Sequence, residues 1–226
     1  METPIVIFVL LFSVIVHECA HGLAAERYGD VTARRLGRIT LNPLPHIDPI
    51  GTIVVPLVLA ILPGGMLFGW AKPVPVNVAN LRDPARDHAK VAAAGPLVNL
   101  LLACVSAILL GLVVAAEGIP RSQGPDASLP NNLHAFLFLV FQNGVLYNVL
   151  LALFNLIPLP PLDGSWILMR FLRGSALTFY ANIRPYGFMI LMMLLFFGLR
   201  SVLSIFVSNV AYMFFSISNF IVSIFR

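Results

Sequence analysis

His17 and His21 stand four residues apart inside an apolar run that starts near Ile5 and reaches Tyr28. On a helix that spacing stacks both imidazoles on one face, and a run of this length can cross a bilayer. Glu18 lies between them. Two imidazoles so placed can grip one zinc ion, and the intervening carboxylate can act on a zinc-bound water. A site that consumes water in a helix suited to lipid constrains the rest of the chain. Water must reach it, and any further ligand must come from another part of the fold.

Composition points to lipid as the surrounding medium. Of 226 residues, 59% are hydrophobic and only 11% charged, against about 25% charged in soluble domains. Several long apolar stretches share this depletion, so a polytopic membrane protein is expected, made of a single integral membrane domain over residues 1–226. The net charge of +4 is not a nucleic-acid signal. Its Lys and Arg residues fall in short loops, where they set orientation against the membrane. Cys19 and Cys104 both sit in apolar segments and imply no disulfide framework; Cys19 reads as a packing thiol. No A-x-A-like cleavage site follows the first apolar stretch, which is therefore expected to be retained.

In chain order, the first span covers residues 4–28 and ends among Arg27, Arg34, Arg35 and Arg38, a cytoplasmic signature. Alternation of Val31, Ala33, Leu36 and Ile39 predicts a short β element at the membrane surface. Residues 51–70 are apolar but broken by Pro56, Pro63, Gly64 and Gly65, with basic flanks on both sides. A re-entrant segment fits them better than a full crossing, provided protein or water surrounds the irregular backbone. Residues 71–77 must be extended, because Pro73 and Pro75 oppose a helix. The second span covers 83–116, a polar loop 117–132 lies outside, and the third span covers 133–156. Arg170, Arg173 and Arg184 return the chain inside, and spans near 185–199 and 201–225 come next. The expected fold class is all-α, with about five to six transmembrane helices, a re-entrant segment and the short β element.

A catalytic zinc takes three protein ligands and leaves a position for water. With ten acidic residues and five histidines in the chain, the third ligand can be sought by elimination. Glu26 lies about 140° around the helix from His21 and faces away. Glu2, Asp30, Asp83, Asp87, Glu117 and Asp126 sit at span ends or in loops, as do His88 and His134. Asp48 and His46, beside the re-entrant segment, stay open as alternatives. Asp163 is the one carboxylate besides Glu18 embedded in apolar sequence, and the prolines before it unwind the chain so that it can turn inward. An ionisable group so placed marks a functional site, and Asp163 is the expected third ligand.

His17-Glu18-x-x-His21 paired with the run from Asn155 to Asp163-Gly164 resembles the site-2 protease family of intramembrane zinc metalloproteases. Gly95-Pro96-Leu97-Val98-Asn99 matches that family's middle core helix. The resemblance covers about residues 5–166. It implies a three-helix catalytic core (about 4–166) with accessory helices at about 180–226, and one zinc per chain. It also implies transmembrane protein substrates cleaved within or near their spans, and a multi-pass protein of the cell membrane with its active site toward the cytoplasm. No stretch matches a PDZ-like insertion or a nucleotide-sensing domain, as in compact members. Under this reading His17, His21 and Asp163 hold the metal. Glu18 takes the proton of the attacking water and passes it to the leaving amine. Asn155 and Asn99 are candidates to hydrogen-bond substrate backbone or the oxyanion, with helix packing as the plain alternative. Trp70 and residues 72–77 offer either an edge for an unwound substrate or an interfacial anchor.

Two other classes fit less well. A tethered soluble-type zincin needs a glutamate on a later helix, and none is suitably placed. A zinc transporter would carry several intramembrane polar sites along a path, whereas here they converge on one.

Overall fold

Lipid offers no partners for backbone N–H and C=O groups, so apolar runs must close their hydrogen bonds internally. They do so here as helices. The computed structural model describes residues 2–55, 57, 61, 69–117 and 132–225. Its helices are α1 (Glu2–Arg27), α2 (Thr32–Arg35), α3 (Pro84–Glu117), α4 (Asn132–Asn155), α5 (Asp163–Met169), α6 (Gly174–Ile183), α7 (Gly187–Leu194) and α8 (Arg200–Phe225). Among the described residues, four runs are long and apolar enough to cross a membrane: Thr3–Arg27, Pro84–Ala116, Leu133–Asn155 and Gly174–Phe225. Their outer faces carry exposed Ile7, Phe8, Leu101, Val105 and Phe220, side chains that water would penalise and lipid accepts.

The spans expected at 185–199 and 201–225 belong to the last of these runs. A kink with non-helical backbone at Phe197 and Gly198 (φ +126°) divides it into two helical parts. Most of the expected re-entrant segment lies outside the described residues. Its first turn, Pro49–Val54, is capped by Asp48, whose carboxylate accepts from the N–H groups of Ile50 and Gly51.

The β element is not formed, and no strand occurs among the described residues. The Asp30 carboxylate accepts from the Thr32 N–H and hydroxyl, which starts one helical turn, Thr32–Arg35. Gly37 at φ +64° then ends it, with the Arg38 N–H returning to the Ala33 carbonyl. Local capping overrode the alternating pattern.

α3 is the central helix, packed against α1, α4, α5 and α8. Small and β-branched residues line the junction of α3, α4 and α8: Ala103, Ala107, Val145, Val149, Val207 and Ala211. Between helices in lipid, close packing replaces the hydrophobic effect as the source of cohesion. Gly144 shows how close: a Cβ there would lie 2.5 Å from Ser106 Oγ.

Two connections bring the polar groups of the chain toward the end of α1. There the Asp30 carboxylate also accepts from the Asn77 N–H (2.6 Å) and Asn80 Nδ2 (2.9 Å), clipping residues 77–80 beneath the helix. Beyond α4, residues 156–162 turn back so tightly that a Cβ on Gly164 would collide with the Leu156 carbonyl oxygen. Only glycine allows α5 to start there. The C-terminal helices hold this linker in place: Tyr180 donates to the Pro158 carbonyl at 2.9 Å, and Gly187 lies against Pro160.

Candidate metal centre

α1 presents His17 and His21 on one face, their rings edge to face with centroids 4.6 Å apart. α5 begins at Asp163 and delivers its carboxylate to the same point. Asp163 Oδ2 lies 3.2 Å from His17 Nε2 and 3.4 Å from His21 Nε2, and the two Nε2 atoms are 3.0 Å apart. All three side chains offer ligand atoms within 4.8 Å of one another, the one such group of three among the described residues.

The opposite ring nitrogens set the tautomer. His21 Nδ1–H donates to the Val91 carbonyl at 2.7 Å, an atom that can only accept. His17 Nδ1–H donates to Asn99 Oδ1 at 2.6 Å. With both rings neutral, the Nε2 atoms carry lone pairs, and they face each other and a carboxylate oxygen. Such a cluster of acceptors is repulsive unless a cation sits among them. Asp163 Oδ2 is buried and has no hydrogen-bond donor. Gly95 on α3 leaves space beside it: a Cβ on that residue would fall 2.5 Å from His17 Nε2, His17 Cε1 and His21 Nε2. Two neutral imidazoles, one carboxylate and a cradle that a methyl group would fill make a good fit for zinc. The hydrogen-bonded far nitrogens are the usual support of ligating histidines.

Glu18 is half-buried beside this cluster, and its Oε2 accepts from the Val74 N–H at 2.7 Å. Val74 lies between Pro73 and Pro75, so it carries the one N–H of that tripeptide. Arg38 holds the strip from behind, donating to the carbonyls of Lys72 (2.8 Å) and Pro73 (3.2 Å). No strand pairs with the strip among the described residues; the Glu18 carboxylate, the Arg38 guanidinium and a backbone bond from the Lys72 N–H to the His46 carbonyl (2.9 Å) fix it.

The other residues proposed from sequence separate clearly. Asp48 is a helix cap. His46 is buried, with its Nε2 3.0 Å from the Thr40 carbonyl oxygen, and neither joins the cluster. Cys19 packs with its thiol on the Thr40 carbonyl. Asn99 is at the centre, yet its amide is fully engaged by His17, Asn148 and Ser13. Asn155, the last residue of α4, donates to the Leu151 carbonyl at 2.9 Å. Sequence reasoning missed Asn148, Ser13 and the carbonyl of Val91. An asparagine in an apolar span is the signal that could have found the first of these.

A bundle of lipid-suited helices enclosing two histidines, a carboxylate and an adjacent glutamate defines a membrane-embedded centre of the metallohydrolase class. Comparison with known proteins narrows the class. The family model "Peptidase family M50" matches residues 5–134. The chain is 36% identical over 191 residues to "Putative zinc metalloprotease YwhC" of Bacillus subtilis (strain 168), covering 84% of this chain and 80% of that protein. It is 31% identical over 189 residues to "Putative zinc metalloprotease Rip2" of Mycolicibacterium smegmatis, covering 82% of this chain and 64% of that protein. No solved structure matches. The chain belongs to peptidase family M50, the site-2 protease family, and is a membrane metalloprotease.

Proposed function

We propose that this protein is an intramembrane protease that hydrolyses peptide bonds within or near the transmembrane segments of other membrane proteins. His17, His21 and Asp163 hold one zinc per chain, and Glu18 is the general base and acid. Zinc, when bound, supplies a Lewis acid for the scissile carbonyl and lowers the pKa of water toward about 7. The observation that carries the reading is the convergence of two imidazole Nε2 atoms and the buried Asp163 Oδ2 beside Glu18.

Each residue has a defined task. Glu18 takes a proton from the attacking water and gives it to the leaving amine; the Val74 N–H keeps the carboxylate aimed. Asn99 orients His17 and does not contact substrate. Asn155, where α4 gives way to irregular chain, hydrogen-bonds the substrate backbone. The catalytic core spans about 4–166, and the helices after about 180 support it from the side.

Depth and orientation follow from the charges. His21 is six residues before Arg27, about 9 Å along the helix axis, so the centre lies near the membrane face marked by Arg27, Arg34, Arg35, Arg86 and Lys90. The positive-inside rule makes that face cytoplasmic in the cell membrane. A substrate helix enters sideways from lipid and must unwind before a peptide reaches the centre. In liposomes, purified protein should cut a substrate span that carries helix-weakening residues and spare the same substrate with a leucine-rich span. Undiminished cleavage of the leucine-rich span would overturn the intramembrane reading.

A further inference from the structure

His17 binds metal through Nε2 only if its proton resides on Nδ1, and the partner of Nδ1 is an amide. Unlike the Val91 carbonyl that serves His21, the Asn99 side chain can present either a carbonyl or an NH2 group. If its NH2 faced His17, the Nδ1 atom would have to accept, and Nε2 would carry the proton. What turns Asn99 the right way lies on other helices. Asn99 Nδ2 donates to Asn148 Oδ1 at 2.8 Å and lies 3.4 Å from the Ser13 carbonyl oxygen. Asn148 has its own direction fixed, since its Nδ2 donates to the Gly144 carbonyl at 2.9 Å and to Ser13 Oγ at 2.9 Å. The Gly144 carbonyl can only accept.

We propose that Asn148, acting through Asn99, sets the His17 tautomer that leaves Nε2 free for a metal. The polarity runs one way. The Gly144 carbonyl calls for the Asn148 NH2 group, which turns Asn148 Oδ1 toward Asn99. That oxygen calls for the Asn99 NH2 group, which turns Asn99 Oδ1 toward His17 and takes the Nδ1 proton. Burial makes the relay strict: Asn99, Ser13 and Asn148 are 0%, 1% and 3% exposed, so no solvent can replace a mismatched partner, and an unmatched buried group is costly. The chain joins α1, α3 and α4 at one level. Asn148 touches no ligand directly; it is a positioning residue.

The inference rests on the reading of His17, His21 and Asp163 as zinc ligands, and the experiment separates the two. Zinc affinity of the purified full chain is measured by chelator competition. The variants are Asn148→Leu, Asn148→Ser, Asn99→Ala, the double variant Asn99→Ala/Asn148→Leu, His17→Ala, and Asn143→Leu. Asn143 lies on the same helix but donates only to its own Leu139 carbonyl. Loss of an outer hydrogen-bond partner lowers metal affinity by about 10- to 100-fold, and both Asn148 variants should fall in that range. Asn143→Leu should bind as wild type, and the double variant should bind no worse than Asn99→Ala. The cobalt-substituted protein should show a changed visible spectrum in the Asn148 variants. Asn148→Ser is the second probe should leucine prevent folding. Wild-type affinity in either Asn148 variant overturns the inference. So does an equal further loss in the Asn99→Ala background, because Asn148 would then act by packing. Unchanged zinc binding by His17→Ala overturns the ligand reading itself.

Discussion

Gly95 on α3 approaches His17 on α1 so closely that a Cβ would fall 2.5 Å from the imidazole Nε2. The contact ties helix packing to metal chemistry, since the space a methyl group would take is the space beside the ligand atoms. Gly95→Ala must displace one imidazole, and misplacement by about 1 Å costs on the order of 100-fold in activity. Zinc affinity should fall with it. Gly111→Ala on the same helix, about 24 Å along its axis, crowds Ser218 and Ile221 and should lower thermal stability while leaving zinc affinity unchanged. Zinc titration and thermal melting of the two variants check this.

Asp163 reaches the cluster because Gly164 lets α5 begin against the Leu156 carbonyl. Asp163→Asn removes the proposed anionic ligand and should weaken zinc binding by about 100-fold, roughly 3 kcal/mol. Gly164→Ala keeps the carboxylate but moves it, so zinc affinity should drop here too. Metal content after dialysis against a weak chelator reads both. Full zinc in Asp163→Asn would overturn the assignment of Asp163 as the third ligand.

Arg38 acts on Glu18 at one remove, through the strip it pins. Arg38→Met should release the carbonyls of Lys72 and Pro73, loosen the Val74 N–H, and lower kcat about tenfold, a fraction of what a positioned acid–base group contributes. Zinc content should stay at the wild-type level. Val74→Pro deletes the donor itself and should have the same effect, whereas Val74→Ala keeps it and should not. Steady-state cleavage paired with metal analysis separates these outcomes.

Asp30 makes stability depend on pH. Burial alone would raise its pKa, but hydrogen bonds from Thr32, Asn80 and the Asn77 N–H outweigh it and hold the carboxyl below its ordinary 3.8. A depressed carboxylate stabilises fully above its unfolded pKa and loses that contribution as pH falls through the lower folded value. Asp30→Asn should therefore lower Tm at neutral pH by several degrees, equivalent to about 1–3 kcal/mol of lost hydrogen bonding. The gap between variant and wild type should hold down to about pH 4 and narrow only below it. Melting curves at pH 7, 5 and 3.5 measure the gap.

Much of the centre was legible because its information is local. Histidines at i and i+4 mark one helical face whatever surrounds them, and few carboxylates compete for the third place. The supporting groups were less visible. Val91 and Val74 act through backbone atoms, about which a valine side chain says nothing. Asn148 depends on the register of α4 against α3, a tertiary fact. Gly95 stood out only as part of the motif that resembles the family's middle core helix, and the approach of α1 shows what it packs against. The expected β element failed for a related reason: alternation in residues 31–39 was real, but the Asp30–Thr32 hydrogen bonds and the Gly37 turn overrode it.

The central claim is that Glu18 performs the proton transfer while His17, His21 and Asp163 hold the metal. Glu18→Gln tests it most directly, because glutamine keeps the shape and the acceptor for the Val74 N–H but cannot take a proton. Cleavage of a labelled transmembrane substrate by purified variant and wild type, with zinc measured in the same samples, is the decisive comparison. Zinc content should be unchanged and the cleavage rate should fall by about 100-fold or more. Cleavage at the wild-type rate by zinc-loaded Glu18→Gln would contradict the account.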